Sequence, residues 1–252
     1  MRIKFLQLNI LGGEYFSNIV KFCRRENFDI INFQEIFGKK HSGFGTDCVA
    51  KIRKYFPNYH LSQAFSWRDK HDPKIYGSIV TLSKKNIQIL ESGVIRLKKF
   101  QIVEQKHTKF QNRPHCALSQ KMIINGRPIQ IINTHLVWGP TPKDTQYKTK
   151  QNKKLISYVK SLKNPFILSG DFNLDPSSRI VKELGRYGTN LSVKYKLKTT
   201  LNPRVHYAKH LFPPGLVVDY IFVSKKIRVK SFRVVDEVDL SDHFGLAAEF
   251  DV

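Results

Sequence analysis

The sequence predicts an α/β protein: a mixed β-sheet core with helices on its outside. Short apolar, β-branched segments alternate along the chain with stretches whose apolar residues recur at helical spacing. Asn125-Gly126 is a strong two-residue hairpin signal and sits between two strand-like segments, which calls for antiparallel pairing. No internal repeat and no low-complexity linker interrupts the pattern, and 252 residues fit one large domain, taken as 1–252.

Residues 3–10 alternate apolar and polar and then turn apolar, a first strand with Asn9 near its end; Gly12-Gly13 breaks it. Phe16, Ile19, Val20 and Cys23 mark a helix within 14–26. A second strand spans 29–34 with Glu35 at its tip, and Val49, Ile52, Tyr55 and Phe56 mark a helix over 44–56. Strands follow over 59–65 and 75–82, on either side of the charged loop 66–74, and again over 87–97 and 102–105. The hairpin arms are 116–124 and 128–134, the second leading into His135. Thr141-Pro142-Lys143-Asp144 has the form of a helix start, with Thr as N-cap, Pro at N1 and Asp at N3. Leu155, Ile156, Val159 and Leu162 then supply the buried stripe of a helix reaching Lys163.

Phe166, Ile167 and Leu168 form a short buried strand that Gly170 ends. Asp171 and Asn173 follow two residues apart, so an extended backbone turns both side chains to one face. Asp175 is a candidate N-cap for a helix over 177–187. A basic loop with Pro203, Pro213 and Pro214 covers 194–216. A strand over 217–223 contains Asp219, another spans 227–235, and Ser241-Asp242-His243 precede a last strand at 246–250.

Composition narrows the class. Hydrophobic residues make up 41% of the chain and aromatics 12%, enough for a substantial core. Lys and Arg number 43 against 20 Asp and Glu, a formal charge of +23. Such an excess attracts polyanions, either nucleic acid or an anionic membrane surface. A solvated lysine-rich surface is the bland alternative, but +23 is too large to be idle at cellular ionic strength. Cys23, Cys48 and Cys116 are scattered and form no CxxC pair, which argues against a disulfide scaffold and a cysteine zinc site. No stretch approaches 18 apolar residues, so no transmembrane segment is expected, and a cytoplasmic monomer is the default.

Eight polar residues interrupt or end apolar strands: Asn9, Glu35, His135, Asp171, Asn173, Asp219, Asp242 and His243. A carboxylate at the tip of a buried strand must be paired or bind a cation, because leaving it alone costs several kcal/mol. The succession LNI (8–10), QE (34–35), NTHL (133–136), GDFN (170–173), VDYIF (218–222) and SDH (241–243) resembles the endonuclease/exonuclease/phosphatase superfamily, motif by motif and in order. The resemblance implies a four-layer α/β sandwich, two packed mixed β-sheets flanked by helices, with a site where their strand ends converge. It also implies hydrolysis of a phosphate ester with Mg²⁺ or Mn²⁺.

Carried onto this chain, the resemblance implies a role for each strand-end residue. Glu35 would bind the divalent ion, with Asn9 helping at the metal or through a water and Asp242 as a further metal-side carboxylate. Asp171 would orient and deprotonate the attacking water, and Asn173 would donate to that water or to a phosphate oxygen. His243 would contact the scissile phosphate or act as the base, its other nitrogen held by Asp219. His135 would donate to a phosphate oxygen or protonate the leaving group; a packed core histidine is the alternative. Ser78 stands where many relatives carry Asn, and Arg113 where they often carry a basic substrate contact. The remaining histidines, at 41, 60, 71, 107, 115, 206 and 210, show no metal spacing and read as surface.

The substrate expected is nucleic acid, DNA or RNA, held on a basic surface with low sequence specificity. His135 stands where AP endonucleases carry Tyr, and no apolar hairpin suggests a lipid substrate. Lys and Arg concentrate in 143–154, 194–209 and 225–230 as expected rim elements. Trp138 follows His135 by three residues and would stack on a base or pack on Pro140 and Pro142. The alternatives are a phosphodiesterase on sphingomyelin-like lipid or phosphoinositide, a tyrosyl-DNA phosphodiesterase-like repair enzyme, and a basic binding module without catalysis.

Overall fold

Period-two alternation along the first strand, β1 (Arg2–Asn9), decides how the layers stack. Leu6 and Leu8 turn to one side and join a core with Phe16, Ile19 and Cys23 of α1 (Phe16–Glu26). Ile3 and Phe5 turn to the other and meet Ile129, Ile131, Ile167 and Ile221, residues from a second sheet. A strand buried on both faces cannot lie on the surface, so β1 sits between a helical layer and another sheet.

The computed structural model describes residues 2–38, 47–104, 107–212 and 214–252. After α1 come β2 (Ile30–Phe37), α2 (Cys48–Tyr55), β3 (Tyr59–Asp69), β4 (Tyr76–Lys84), β5 (Gln88–Arg96) and β6 (Gln101–Val103). The chain continues through β7 (Cys116–Ile124), β8 (Arg127–His135), α3 (Gln146–Ser161), β9 (Phe166–Asp171), α4 (Arg179–Leu184), β10 (Thr189–Asn190) and α5 (Leu191–Lys194). It ends with β11 (Asp219–Val223), β12 (Arg228–Val235) and β13 (Gly245–Asp251). The first sheet has the order β12-β13-β1-β2-β4-β3-β6 and the second β10-β11-β9-β8-β7-β5. Both are mixed: β1 and β2 run parallel, as do β8 and β9, within otherwise mostly antiparallel pairings. Residues of α1 and α2 cover the first sheet and residues of α3 and α4 the second. The layers are those of the expected four-layer α/β sandwich.

Two helix starts differ from the sequence reading. Thr145, not Thr141, caps α3, accepting from the Lys148 N–H at 3.4 Å. Thr141 closes a turn instead, its hydroxyl accepting from the Lys143 N–H at 3.3 Å. Ser178 caps α4 through the Val181 N–H, and Asp175 accepts from the Ser177 N–H in the turn before it. In each case the cap is the residue whose side-chain oxygen accepts from the N–H three positions on, satisfying an N–H of the first turn that has no partner within the helix. All three cysteines are free and buried. His41, Pro213, Gln105 and the first residues of the helix expected over 44–56 lie outside the described residues. Among the described residues no helix is long and apolar enough to cross a membrane.

Candidate active site

The space between the sheets is not uniformly apolar. Along the inward row of β1 the residues are Ile3, Phe5, Gln7 and Asn9; along β2, Ile30, Asn32 and Gln34; along β8, Ile129, Ile131, Asn133 and His135. β9 gives Ile167, Ser169 and Asp171, and the antiparallel β11 gives Val223, Ile221 and Asp219. Each row changes from aliphatic to polar toward the same end of the sandwich. Register then sets the polar tips side by side, His135 opposite Asp171 and Asp171 opposite Asp219.

Burying these groups is tolerable only because they bond one another. Gln34 Nε2 donates to Asn133 Oδ1 at 2.8 Å, and Asn32 Nδ2 donates to the Ser169 hydroxyl at 2.9 Å, each bond crossing from one sheet to the other. Gln7 Nε2 donates to Gln34 Oε1 and to Asp219 Oδ1, both at 3.0 Å. The other Asp219 oxygen accepts from His243 Nδ1–H at 2.9 Å, and the Asp219 N–H donates to Thr200 Oγ1. Burial alone would lower the His243 pKa, but the Asp219 and Asp171 carboxylates outweigh it and hold the imidazolium well above its ordinary 6.5.

Asp171 lies 3.9 Å from His243 Nε2 and 3.5 Å from His135 Nε2. Its Oδ1 accepts from the Asn173 N–H at 2.9 Å and its Oδ2 from Asn9 Nδ2 at 3.1 Å. Burial pushes the Asp171 carboxyl up, against the pull of His243 and these donors. Gly170 is obligatory beneath it: at φ 155° a Cβ would sit 1.8 Å from the Thr134 carbonyl oxygen of the parallel neighbour. Asn173 holds a left-handed φ of 51° and donates through Nδ2 to the Leu136 carbonyl at 3.0 Å and to His135 Nε2 at 3.2 Å. Burial, followed by the His243 cation, lowers the His135 pKa to about 4, so its ring is neutral at pH 7.

Glu35 reaches the site through a bulge. The β2–β4 register slips between Phe33 and Ile36, and Glu35 takes a φ of 55°. Burial and the nearby Asp242 raise its pKa from 4.5 to about 7, against the attraction of His243 and a hydrogen bond from Asn9. Glu35, Asp242 and Asp171 thus form an oxygen-rich cluster with His243 as the counter-charge that acts on it, a donor set that fits a hard divalent cation. Asp171, Asp219 and His243 also offer atoms within 4.8 Å of one another, but the His243–Asp219 bond already engages that group.

Asn9, expected at the metal or at a water bound to it, is held by the backbone and by the carboxylates. The Leu11 N–H, which can only donate, claims its Oδ1 at 3.1 Å, and this turns its nitrogen to Asp171 and Glu35. It orients two carboxylates, and the second lone pair of Oδ1 is left for the expected role at a metal or a bound water. Ser78 is buried, donating to the Ile36 carbonyl and accepting from Gln63 Nε2. Arg113 is also buried, its Nε donating to the Thr108 carbonyl and its guanidinium 5.0 Å from the Trp67 ring centre. Trp138 is 43% exposed, and Tyr147 donates its hydroxyl to the Trp138 carbonyl.

Four further expectations change. His115 is not a surface histidine: its Nδ1 donates to the His135 carbonyl at 3.0 Å, with the two rings edge to face. His206, also expected at the surface, lies 3.8 Å from Asp242. Lys148, within the expected basic rim, is fully buried and donates to the carbonyls of Thr141 at 2.7 Å and Asn173 at 2.9 Å, tying down the strained Asn173 backbone. Burial lowers its pKa to about 8. The lysines at 225–230 follow the Val223 end of β11, opposite the Asp219 tip, so they do not rim this site.

The comparisons with known proteins agree with this fold. The Endonuclease/Exonuclease/phosphatase family model matches residues 6–243. The endonuclease/exonuclease/phosphatase of Bacteroides vulgatus superposes with a TM-score of 0.74 at 18% identity, covering 100% of this chain and 99% of that one. A Bacteroides thetaiotaomicron mannosyl-6-phosphatase gives 0.72 at 18%, over 99% and 100% of the two chains. D. rerio TDP2, complexed with a single-strand DNA product, gives 0.72 at 16%, over 100% and 99%. Among curated protein sequences none matches. With the match spanning every strand-tip motif from Asn9 to His243, the chain belongs to the endonuclease/exonuclease/phosphatase family.

Proposed function

We propose that this chain is a divalent-metal-dependent phosphodiesterase that hydrolyses nucleic acid with low sequence specificity. Members of its family are phosphoric ester hydrolases. The observation that carries the reading is the convergence of His135, Asp171, the Asp219–His243 pair and Glu35 at one end of the sandwich. Mg²⁺ or Mn²⁺, held by Glu35 and Asp242, would neutralise phosphate charge and favour departure of the leaving oxygen.

The protein's own groups divide the remaining work. Asp171, aimed by the Asn9 amide and the Asn173 N–H, accepts the proton of the attacking water. His243, kept cationic by Asp219, faces the phosphate as a charge stabiliser, which makes Asp171 the better base of the two. Asn173 and the neutral His135 align the water and a phosphate oxygen. The anionic substrate follows from the +23 charge and from exposed Lys143, Lys150, Lys196, Lys198 and Lys209 on the segments that lead into the site.

The test offers the purified protein plasmid, single-stranded DNA, RNA, sphingomyelin, inositol phosphates and mannose 6-phosphate, each with Mg²⁺, Mn²⁺ or EDTA. Nucleic-acid cleavage that EDTA abolishes is the expected result. Turnover of a lipid or sugar phosphate with all nucleic acids inert overturns it.

A further inference from the structure

The chain between Thr200 and Phe212 forms one wall of the site. Leu201 pairs with His243 in an isolated bridge, and the Asn202 N–H donates to the Asp242 carbonyl at 2.8 Å. The Phe244 N–H donates to the Thr200 carbonyl at 2.8 Å, and Asn202 Nδ2 to the Ser241 carbonyl at 3.1 Å. This segment is therefore stitched to the backbone of the Ser241–His243 motif, and the residues just after it have a fixed place.

Among the residues that follow the stitched Thr200–Asn202 stretch is His206, whose own N–H donates to the Asn202 carbonyl at 2.9 Å. Its ring centre is 6.3 Å from that of His243, and its Nε2 is 3.8 Å from Asp242 Oδ2. Its Nδ1 accepts from the Ala208 N–H at 3.1 Å. A backbone amide can only donate, so the neutral ring carries its proton on Nε2. That N–H faces the site across a gap too long for a direct hydrogen bond. Phe212 braces the ring edge-on at 5.0 Å. Tyr207 lies on His206 nearly parallel, with ring centres 5.1 Å apart and planes at 14°. It is 79% exposed, an unusual state for a tyrosine held in place by a stack. Exposed Lys209 within the segment, and exposed Lys196 and Lys198 just before it, give this stretch a cationic surface.

We infer that His206 and Tyr207 are a substrate-binding wall: Tyr207 stacks on a nucleobase of a single strand, and His206 Nε2–H donates to a phosphate oxygen beside the scissile one. The inference rests on the reading of this site as a nucleic-acid phosphodiesterase, and it adds which conformation of nucleic acid the site takes. A base within a duplex already has both faces covered by its neighbours, so an open aromatic face selects an unpaired base. The lysines supply the phosphate attraction that a lone aromatic ring lacks.

The test compares two fluorescein-labelled oligonucleotides of about ten nucleotides, one of deoxythymidine and one with every base replaced by an abasic tetrahydrofuran. Both carry the same phosphates, so their difference isolates stacking. Fluorescence anisotropy in EDTA reads binding without turnover. The wild type is expected to prefer the thymidine strand by roughly 5- to 150-fold. Tyr207→Ala abolishes the preference and Tyr207→Phe keeps it. His206→Gln weakens both oligonucleotides by roughly 5- to 20-fold while leaving Mn²⁺ affinity, read by isothermal titration, unchanged.

A preference that survives Tyr207→Ala overturns the stacking wall, and a tenfold or greater loss of Mn²⁺ affinity in His206→Gln moves that residue to the metal and overturns its donor role. A wild type that shows the preference yet cleaves no phosphodiester overturns the nuclease reading alone. An active nuclease without the preference overturns the wall alone.

Discussion

Replacing Glu35 by Gln tests the metal assignment through stability rather than turnover. Without metal, the Glu35 carboxyl is raised from 4.5 to about 7 by burial and by Asp242. The folded chain therefore holds a proton between those values that the unfolded chain releases, and stability from this group falls as pH rises through that window. At about 1.36 kcal/mol per pH unit, the ionised carboxylate costs the metal-free fold roughly 3 kcal/mol above pH 7, less where solvent reaches its rim. Gln mimics the protonated form. In EDTA at pH 7.5, Glu35→Gln is thus expected to melt roughly 4–10 °C above the wild type, and at pH 5 the two should nearly coincide. Added Mg²⁺ raises the wild-type melting temperature, because it binds the folded state, and leaves the variant where it was. Thermal denaturation followed by circular dichroism reads all four conditions. A metal-free Glu35→Gln that melts below the wild type at pH 7.5 would refute the argument. So would an equal response of both proteins to Mg²⁺.

The remaining predictions concern catalysis and the footprint. Asp219→Asn removes a charge 2.9 Å from His243 Nδ1. At an effective dielectric near 20, that attraction is roughly 6 kcal/mol. An amide retains part of it, so kcat should fall roughly 10³-fold while oligonucleotide affinity, set at the surface, stays put; a kcat within tenfold of wild type removes Asp219 from its role. Replacing the exposed Lys150, Lys153 and Lys154 of α3 by Gln should flatten the slope of log K against log salt by about 0.7–0.9 for each phosphate left unneutralised. An unaltered slope takes α3 out of the nucleic-acid footprint.

Much of the site is legible in the sequence because strand tips obey period two. Asp171 and Asn173 announce themselves two residues apart at the end of an apolar run, and Asp219 stands out inside VVDYIFV. What spacing does not carry is register. That Asp171 sits opposite both His135 and Asp219 depends on pairings between segments far apart in the chain. The same alternation, run backward from Asn9, reaches Gln7, a buried partner of Asp219 whose amide alone would suit a solvent-facing strand position equally well. Lys148 obeys a period too: stepping back from Val159 and Leu155 gives Asn152 and Lys148, all on the buried stripe of α3. Residue type points the other way, because lysine is so rarely buried. His206 and His115 carry no such signal. One is fixed by an irregular segment stitched to the SDH motif and the other by a bond to a carbonyl twenty residues on, and neither constraint has a sequence period.

The polar half of the inter-sheet space has a consequence for how the site is held. His243 leads into β13 of the first sheet, while Asp219 belongs to β11 of the second, so the pair spans the sandwich. Purely apolar faces would let the sheets slide by small amounts at little cost, since hydrophobic contact is not directional. Amide hydrogen bonds are directional, and those from Gln34 to Asn133 and from Asn32 to Ser169 lock the sheets beside the site. Gln7 then carries that lock to Asp219 itself, bonding a first-sheet amide to the second-sheet carboxylate that grips His243. The aliphatic end of the sandwich stabilises the fold; the amide end fixes the distance between its halves, and the His243–Asp219 pair inherits that precision.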